Sequence, residues 1–129
     1  MKLIIDIGNT AVKTALFEGK HLISSAILDD CTLQSILVFV GEQTISNAII
    51  SSVKSVDTDL EQIIKHFDAH FLNENTSLPI TIDYKTPYTL GKDRIAAVIG
   101  AFCLFPKQDV LVLDAGTCLT IDFINKEKS

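Results

Sequence analysis

Two stretches of this chain repeat one plan, and that plan constrains most of what can surround them. LIIDIGNTAVKTALF, from Leu3 to Phe17, and VLVLDAGTCLTIDFI, from Val110 to Ile124, each run an apolar strand into Asp-x-Gly. Each then carries a threonine within two residues of the glycine, turns, and leaves as a second alternating strand. Alternation with period two on both sides of a glycine turn is the pattern of an antiparallel hairpin. Glycine lets the backbone approach a ligand closely, and the N–H groups of such a turn can line up as an anion nest. A carboxylate beside phosphate would repel it, so Asp6 and Asp114 make sense at such turns only with cations between. Two turns of this kind facing each other could hold a polyphosphate and its metal; two ordinary hairpins with Asx-type turns are the alternative.

Between the ribbons the pattern changes period. HLISSAIL (21–28) continues the first hairpin as a third strand after the turn EGK. Asp29 or Asp30 can cap a helix reaching about residue 40, with Leu33, Ile36, Leu37 and Val40 on one face. ISNAIISSV reads as a buried strand, and Ser55 or Asp57 opens a helix whose stripe is Leu60, Ile63, Ile64 and Phe67. Short strands are predicted at 69–72 and 80–84, and a helix in GKDRIAAVIGAFCLF, stopped by Pro106. This is an α/β chain with a mixed sheet, antiparallel hairpin strands first and helices packed on the sheet. The restart of the hairpin pattern after Pro106 predicts a domain boundary there, with a first domain over 1–108 and the opening hairpin of a second over 109–129.

Composition bounds the function classes. A chain of 129 residues, 47% apolar and 21% charged, can bury a sizeable core. A net charge of −5 and the lack of any Lys/Arg run give no footprint for nucleic acid. The apolar runs are strand-sized, which excludes a helical membrane span. The opening MKLIID reaches a charge at once, so no secretory leader is expected. Cys31, Cys103 and Cys118, odd in number and widely spaced in apolar surroundings, read as reduced core thiols of a cytoplasmic protein. His66 and His70 stand four apart, a ligand-like spacing, but the helix is predicted to end near Phe67, which makes them a solvated helix end.

A third constellation is LGKDR at 90–94. Arg94 offers a planar fork for a carboxylate or phosphate, and Asp93 can accept a proton from an attacking hydroxyl. Without context the favoured reading is a capped helix start, with Asp93 on the dipole and Arg94 in solvent.

Taken in order and spacing, DIGNTAVKTALF, YKTPYTLGKDRIAAVIGA and VLDAGTCLTIDFI resemble type III pantothenate kinase, a family of the actin/hexokinase/Hsp70-like phosphotransferases. The resemblance implies a ribonuclease H-like (actin-like ATPase) fold and phosphorylation of pantothenate by ATP with Mg2+, giving 4'-phosphopantothenate, the first step towards coenzyme A. It further implies that Asp6, Ile7, Gly8, Asn9, Thr10, Ala11, Val12 and Lys13 form the first phosphate loop, with Asp6 in a magnesium–phosphate network. Thr117 would touch the ATP phosphates, and Asp114 would bind a monovalent cation, K+ or NH4+. Asp93 would be the general base on the pantothenate hydroxyl. Tyr84, Gly91, Lys92, Asp93 and Arg94 would line the substrate site, with Arg94 facing the pantothenate carboxylate. Lys13 is equally an outward strand residue, and Tyr88 competes with Tyr84 for the aromatic role. Cys118 departs from the alanine common there. Family members are roughly twice this length and homodimeric. The chain is therefore expected to be an N-terminal piece with little or no activity alone, and the edge of its final hairpin is expected to drive self-association. A non-catalytic nucleotide-binding module of the same superfamily is the alternative.

Overall fold

The alternation in KLIIDI decides the centre of the first sheet. In β1 (Lys2–Ile7) Leu3, Ile5 and Ile7 are buried, while Lys2 and Ile4 face the other side. β2 (Val12–Glu18) returns antiparallel with Asp6 opposite Lys13, and β3 (His21–Leu28) adds a second antiparallel neighbour. The chain then crosses through α1 (Leu33–Val40) to β4 (Asn47–Ser52), which pairs parallel with β1. It crosses again through α2 (Thr58–Phe67) to the two-residue β5 (His70–Phe71), parallel to β4. The result is a mixed five-stranded sheet of order β3-β2-β1-β4-β5. Residues 1–128 are described in this computed structural model.

One face of that sheet carries the core. Leu3, Ile5, Ile7, Val12, Leu16 and Ile50 pack with Ile36 and Val40 of α1 and Leu60 and Ile63 of α2. Burying each such side chain is worth about 1.5–3 kcal/mol, so these positions dominate the stability of this part. The helices begin and end for local reasons. Thr32 caps α1 by accepting from the Ser35 N–H, and Gly41, at φ +60°, ends it in a conformation that favours glycine. Asp57 caps α2 by accepting from the Leu60 N–H at 2.9 Å. Asp59 and Glu61 lie in its first turn and Lys65 and His66 in its last, matching the helix dipole.

By contacts the chain divides into two compact units, Met1–Leu72 and Asn73–Ser129. The second unit holds a short 3-10 turn (Pro87–Thr89), α3 (Lys92–Leu104) and the antiparallel ribbon β6 (Val110–Ala115) with β7 (Leu119–Ile124). α3 packs on both strands of the ribbon. The ribbon's two faces differ. Asp122 and Ile124 lie on one, and Ile124 is buried. Leu111, Leu113, Leu119, Ile121 and Phe123 lie on the other, each more than half exposed.

Three expectations need correction. Residues 80–84 form no strand; among the described residues the Thr81 N–H donates to the Lys128 carbonyl, an isolated bond, and a strand needs a continuous partner. The cap of α1 is Thr32, not Asp29 or Asp30; Asp30 instead accepts from the Thr32 and Ser35 hydroxyls. Cys103 and Cys118 are exposed, so among the three thiols only Cys31 is even partly buried. Cys118 follows directly on the turn of the second ribbon, and Cys103 sits in the last turn of α3, which has no buried residue.

Candidate functional site

The first ribbon closes through a short loop in which the Gly8 N–H donates to the Ala11 carbonyl at 2.9 Å. Asn9 and Thr10 are exposed at its tip, whereas Ile7 and Val12 anchor it in the core. Asp6 is half-buried and Lys13 exposed, on the sheet face opposite the helices. A β-carbon at Gly8 would stand 3.4 Å from the Ala11 oxygen, at the edge of ordinary contact. The arrangement is a polar, two-hydrogen-bonding-residue tip fixed at both feet by buried apolar side chains. The sequence residues Asp6 to Lys13 are thus contiguous in space as well as in the chain.

The second ribbon has a tighter tip, where the Gly116 N–H donates to the Cys118 carbonyl at 3.2 Å. Asp114 pairs in register with Thr120, and Thr117 is exposed at the turn. Pairing alternates faces, so Asp114 shares its face with Asp122, the residue two further along the opposite strand from Thr120. Among the described residues no group of three His, Cys, Asp or Glu converges as a metal cage. Magnesium is ordinarily held by one or two carboxylates together with substrate phosphates, so single aspartates beside exposed turns suit it.

The third constellation is assembled at the start of α3. Gly91 precedes the helix, and its carbonyl accepts from the Ile95 N–H at 3.2 Å. Asp93 lies in the first turn, where a carboxylate is favoured by the dipole. A β-carbon at position 91 would collide with an Asp93 carboxylate oxygen, so glycine there makes room for that side chain. Arg94 is not in solvent. Its Nε donates to Asp122 Oδ2 at 3.0 Å and its Nη2 to Oδ1 at 2.6 Å, a bidentate pair joining α3 to β7. The bonds to Asp122, with its charge behind them, raise the guanidinium's already high pKa against a smaller cost of burial. The Tyr84 ring lies 5.7 Å from Arg94 Cζ, within cation–π range, whereas Tyr88 is almost wholly exposed. Tyr84, Leu90, Arg94, Ile95 and Asp122 help line a cavity of about 100 Å³ within this unit.

The structure therefore brings Tyr84, Gly91, Lys92, Asp93 and Arg94 together in one unit, and Asp6 to Lys13 together in the other. Asp122 was missed from sequence. A signal for it existed: Arg94 is the sole arginine of the chain, and Asp122 is an acid two residues before the buried Ile124 on the same ribbon face.

Comparison with known proteins gives a consistent picture. A family model described as type III pantothenate kinase matches residues 2–129. The chain is 43% identical over 125 residues to a type III pantothenate kinase of Cytophaga hutchinsonii, covering 97% of this chain and 52% of that protein. It is 39% identical to the one of Phocaeicola vulgatus over 129 residues, covering 98% and 53%. It is also 39% identical to one of Bacteroides fragilis over 127 residues, covering 97% and 52%. The chain spans about half the length of the curated relatives it matches.

Proposed function

We propose, because this chain belongs to the type III pantothenate kinase family, that the protein transfers the γ-phosphoryl group of ATP to the primary hydroxyl of pantothenate. In this reading Asp93 is the general base. As the hydroxyl oxygen bonds to the γ-phosphorus, the bond to the β–γ bridging oxygen breaks, ADP leaves, and Asp93 takes the hydroxyl proton. Little more is asked of a protein in phosphoryl transfer than positioning and charge. The observation that carries the reading is the first turn of α3, which puts an acid and a paired arginine one residue apart, with Tyr84 against the arginine. The acid suits the reacting hydroxyl, and the arginine suits the carboxylate at the other end of pantothenate.

Asp6 to Lys13 is read as the first phosphate loop and Thr117 as a phosphate contact from the second ribbon. The exposed Thr10 and Thr117 at the two tips support this. Asp6 would hold Mg2+ with the phosphates and Asp114 a monovalent cation, K+ or NH4+; bound there, these ions would neutralise phosphate charge that the two carboxylates would otherwise repel. The ribonuclease H-like assignment, the division into domains at about residue 108 and a homodimeric complete enzyme belong to the same proposal.

Asp93→Asn tests it. In the complete enzyme the substitution removes the proton acceptor but not the shape, so kcat should fall by roughly 100-fold or more, within the range of a lost general base. Binding of a non-hydrolysable ATP analogue should stay within about twofold. Turnover equal to the wild type, measured by coupled ADP release with pantothenate, would overturn the assignment of the base.

A further inference from the structure

The only arginine of this chain has two edges, and one of them is already occupied. A guanidinium presents five N–H donors in a rigid fork. Asp122 takes the side formed by Nε and Nη2, at 3.0 and 2.6 Å. That geometry leaves the end of the fork, around Nη1, to acceptors other than Asp122, the neighbouring Tyr84 hydroxyl among them, and one arginine can bind two carboxylates on two edges. Resting on the reading above, in which Arg94 receives the substrate carboxylate, we propose that Asp122 is a positioning residue: it pins Arg94 by one edge so that the other edge is presented, preformed, to the acid arm of the substrate.

Three features of the structure support it. First, an exposed arginine side chain carries much rotamer freedom that binding would have to remove, and a bidentate partner removes it beforehand. Second, the pair spans α3 and β7, two elements that pack on one another, so the fork is held by the fold and not by a loop. Third, the cavity beside it, about 100 Å³, is far smaller than the several hundred Å³ that enclose a whole drug-sized ligand. It has room for one arm of a ligand. Its lining joins Arg94 and Asp122 to Tyr84 and the apolar Leu90 and Ile95, which suits a short aliphatic chain ending in a carboxylate.

Asp122 also sets what the fork will not accept. It neutralises Arg94, so a dianion such as a free phosphate gains less there than at an unpaired arginine, while the planar two-oxygen match of a carboxylate is retained. The pair selects by shape as well as by charge.

The test is steady-state kinetics on the complete enzyme, with the Arg94 Nε–H resonance, assigned there by its loss in Arg94→Lys, as the structural readout. In Asp122→Asn the Nε–H should lose its slow exchange with solvent, the KM for pantothenate should rise about tenfold, and kcat should stay within about twofold. Asp122→Glu, one methylene longer, should keep the slow exchange and raise KM only a few-fold. A wild-type KM in Asp122→Asn, or a fall in kcat with KM unchanged, overturns the positioning role. If Asp122→Asn does not fold, Asp122→Glu carries the test, and an unchanged KM there is the refuting result. Arg94→Lys separates this proposal from the one beneath it. It keeps a cation near Asp122 but loses the fork, so an unchanged KM in that variant would remove Arg94 from the substrate site altogether, whatever Asp122 does.

Discussion

Gly91 and Asp93 are coupled by volume. A β-carbon at 91 has nowhere to go but into the Asp93 carboxylate, and that carboxylate is the movable partner. Gly91→Ala should therefore leave the fold in place, with a stability loss of at most about 1 kcal/mol from the poorer cap. If Asp93 is the base as proposed, the substitution should lower kcat of the complete enzyme by roughly 10- to 100-fold, since small misplacements of a reacting group cost that much. Equal kcat in the two proteins would show that Asp93 need not occupy its present rotamer. The thiols offer a second residue-scale contrast. Burial pushes the Cys31 thiol up, and the negative charge of Asp57 adds to it, so little thiolate forms there near neutral pH. Cys103 and Cys118 are open to reagent. Iodoacetamide followed by peptide mass mapping at about pH 7.5 should label both before Cys31, because the thiolate is the nucleophile; labelling of Cys31 first would contradict the burial.

At the scale of elements, α1 depends on a cluster of hydroxyls around one acid. Asp30 accepts from the Ser35 hydroxyl at 2.5 Å and from the Thr32 hydroxyl at 3.0 Å, and these bonds, the first most, hold its carboxyl below its ordinary 3.8. Because the folded value is depressed, the contribution is complete above 3.8 and disappears as pH falls through the folded value. Thermal melts of wild type and Asp30→Asn should thus differ near neutral pH and converge at the acid end. A difference that grew on acidification would reverse the sign and sink the argument. Thr32→Ala, which removes the cap itself, should cost about 1 kcal/mol. The same elements show how much was legible beforehand. β3 was readable to the residue because strict turn signals at EGK bound an extended run, and α2 because Asp57 caps an unmistakable stripe. The strand at 80–84 was not, since ITIDY alternates correctly but alternation says nothing about whether a partner strand exists. Of the candidate site, the ribbon tips and the turn of α3 were visible as motifs. The Arg94–Asp122 pair was not, because 28 residues separate its members and only the packing of α3 on β7 brings them together.

Across the whole molecule, burial is distributed very unevenly between the two compact units. Among the described residues, the fully buried large side chains are Leu3, Ile5, Ile36, Ile50 and Ile63 in the first unit and Ile124 alone in the second. Removing most of a buried isoleucine or leucine costs about 2–5 kcal/mol, and a unit with one such anchor has little to lose before it opens. The second unit is nevertheless the one that contains Tyr84, Asp93, Arg94 and Asp122, the groups assigned to substrate recognition and proton transfer. Its uncovered ribbon face, five apolar side chains wide, leaves β6 and β7 dependent on backbone pairing and on α3. Native-state hydrogen exchange should separate the two. Amides of β1 and β4, central in the five-stranded sheet, should exchange slowest and report the largest opening free energy. Amides of β6 and β7 should exchange at least about tenfold faster in this chain, since a two-stranded ribbon is marginal without further cover. Saturating pantothenate together with an ATP analogue, if it binds where Arg94 and Tyr84 stand, should slow the second set preferentially, because a ligand stabilises the state it binds in proportion to its occupancy. Equal protection of both sets in the free chain would mean that buried area is a poor guide to local stability here, and that the weak core of the second unit is compensated by its ion pair and backbone bonds.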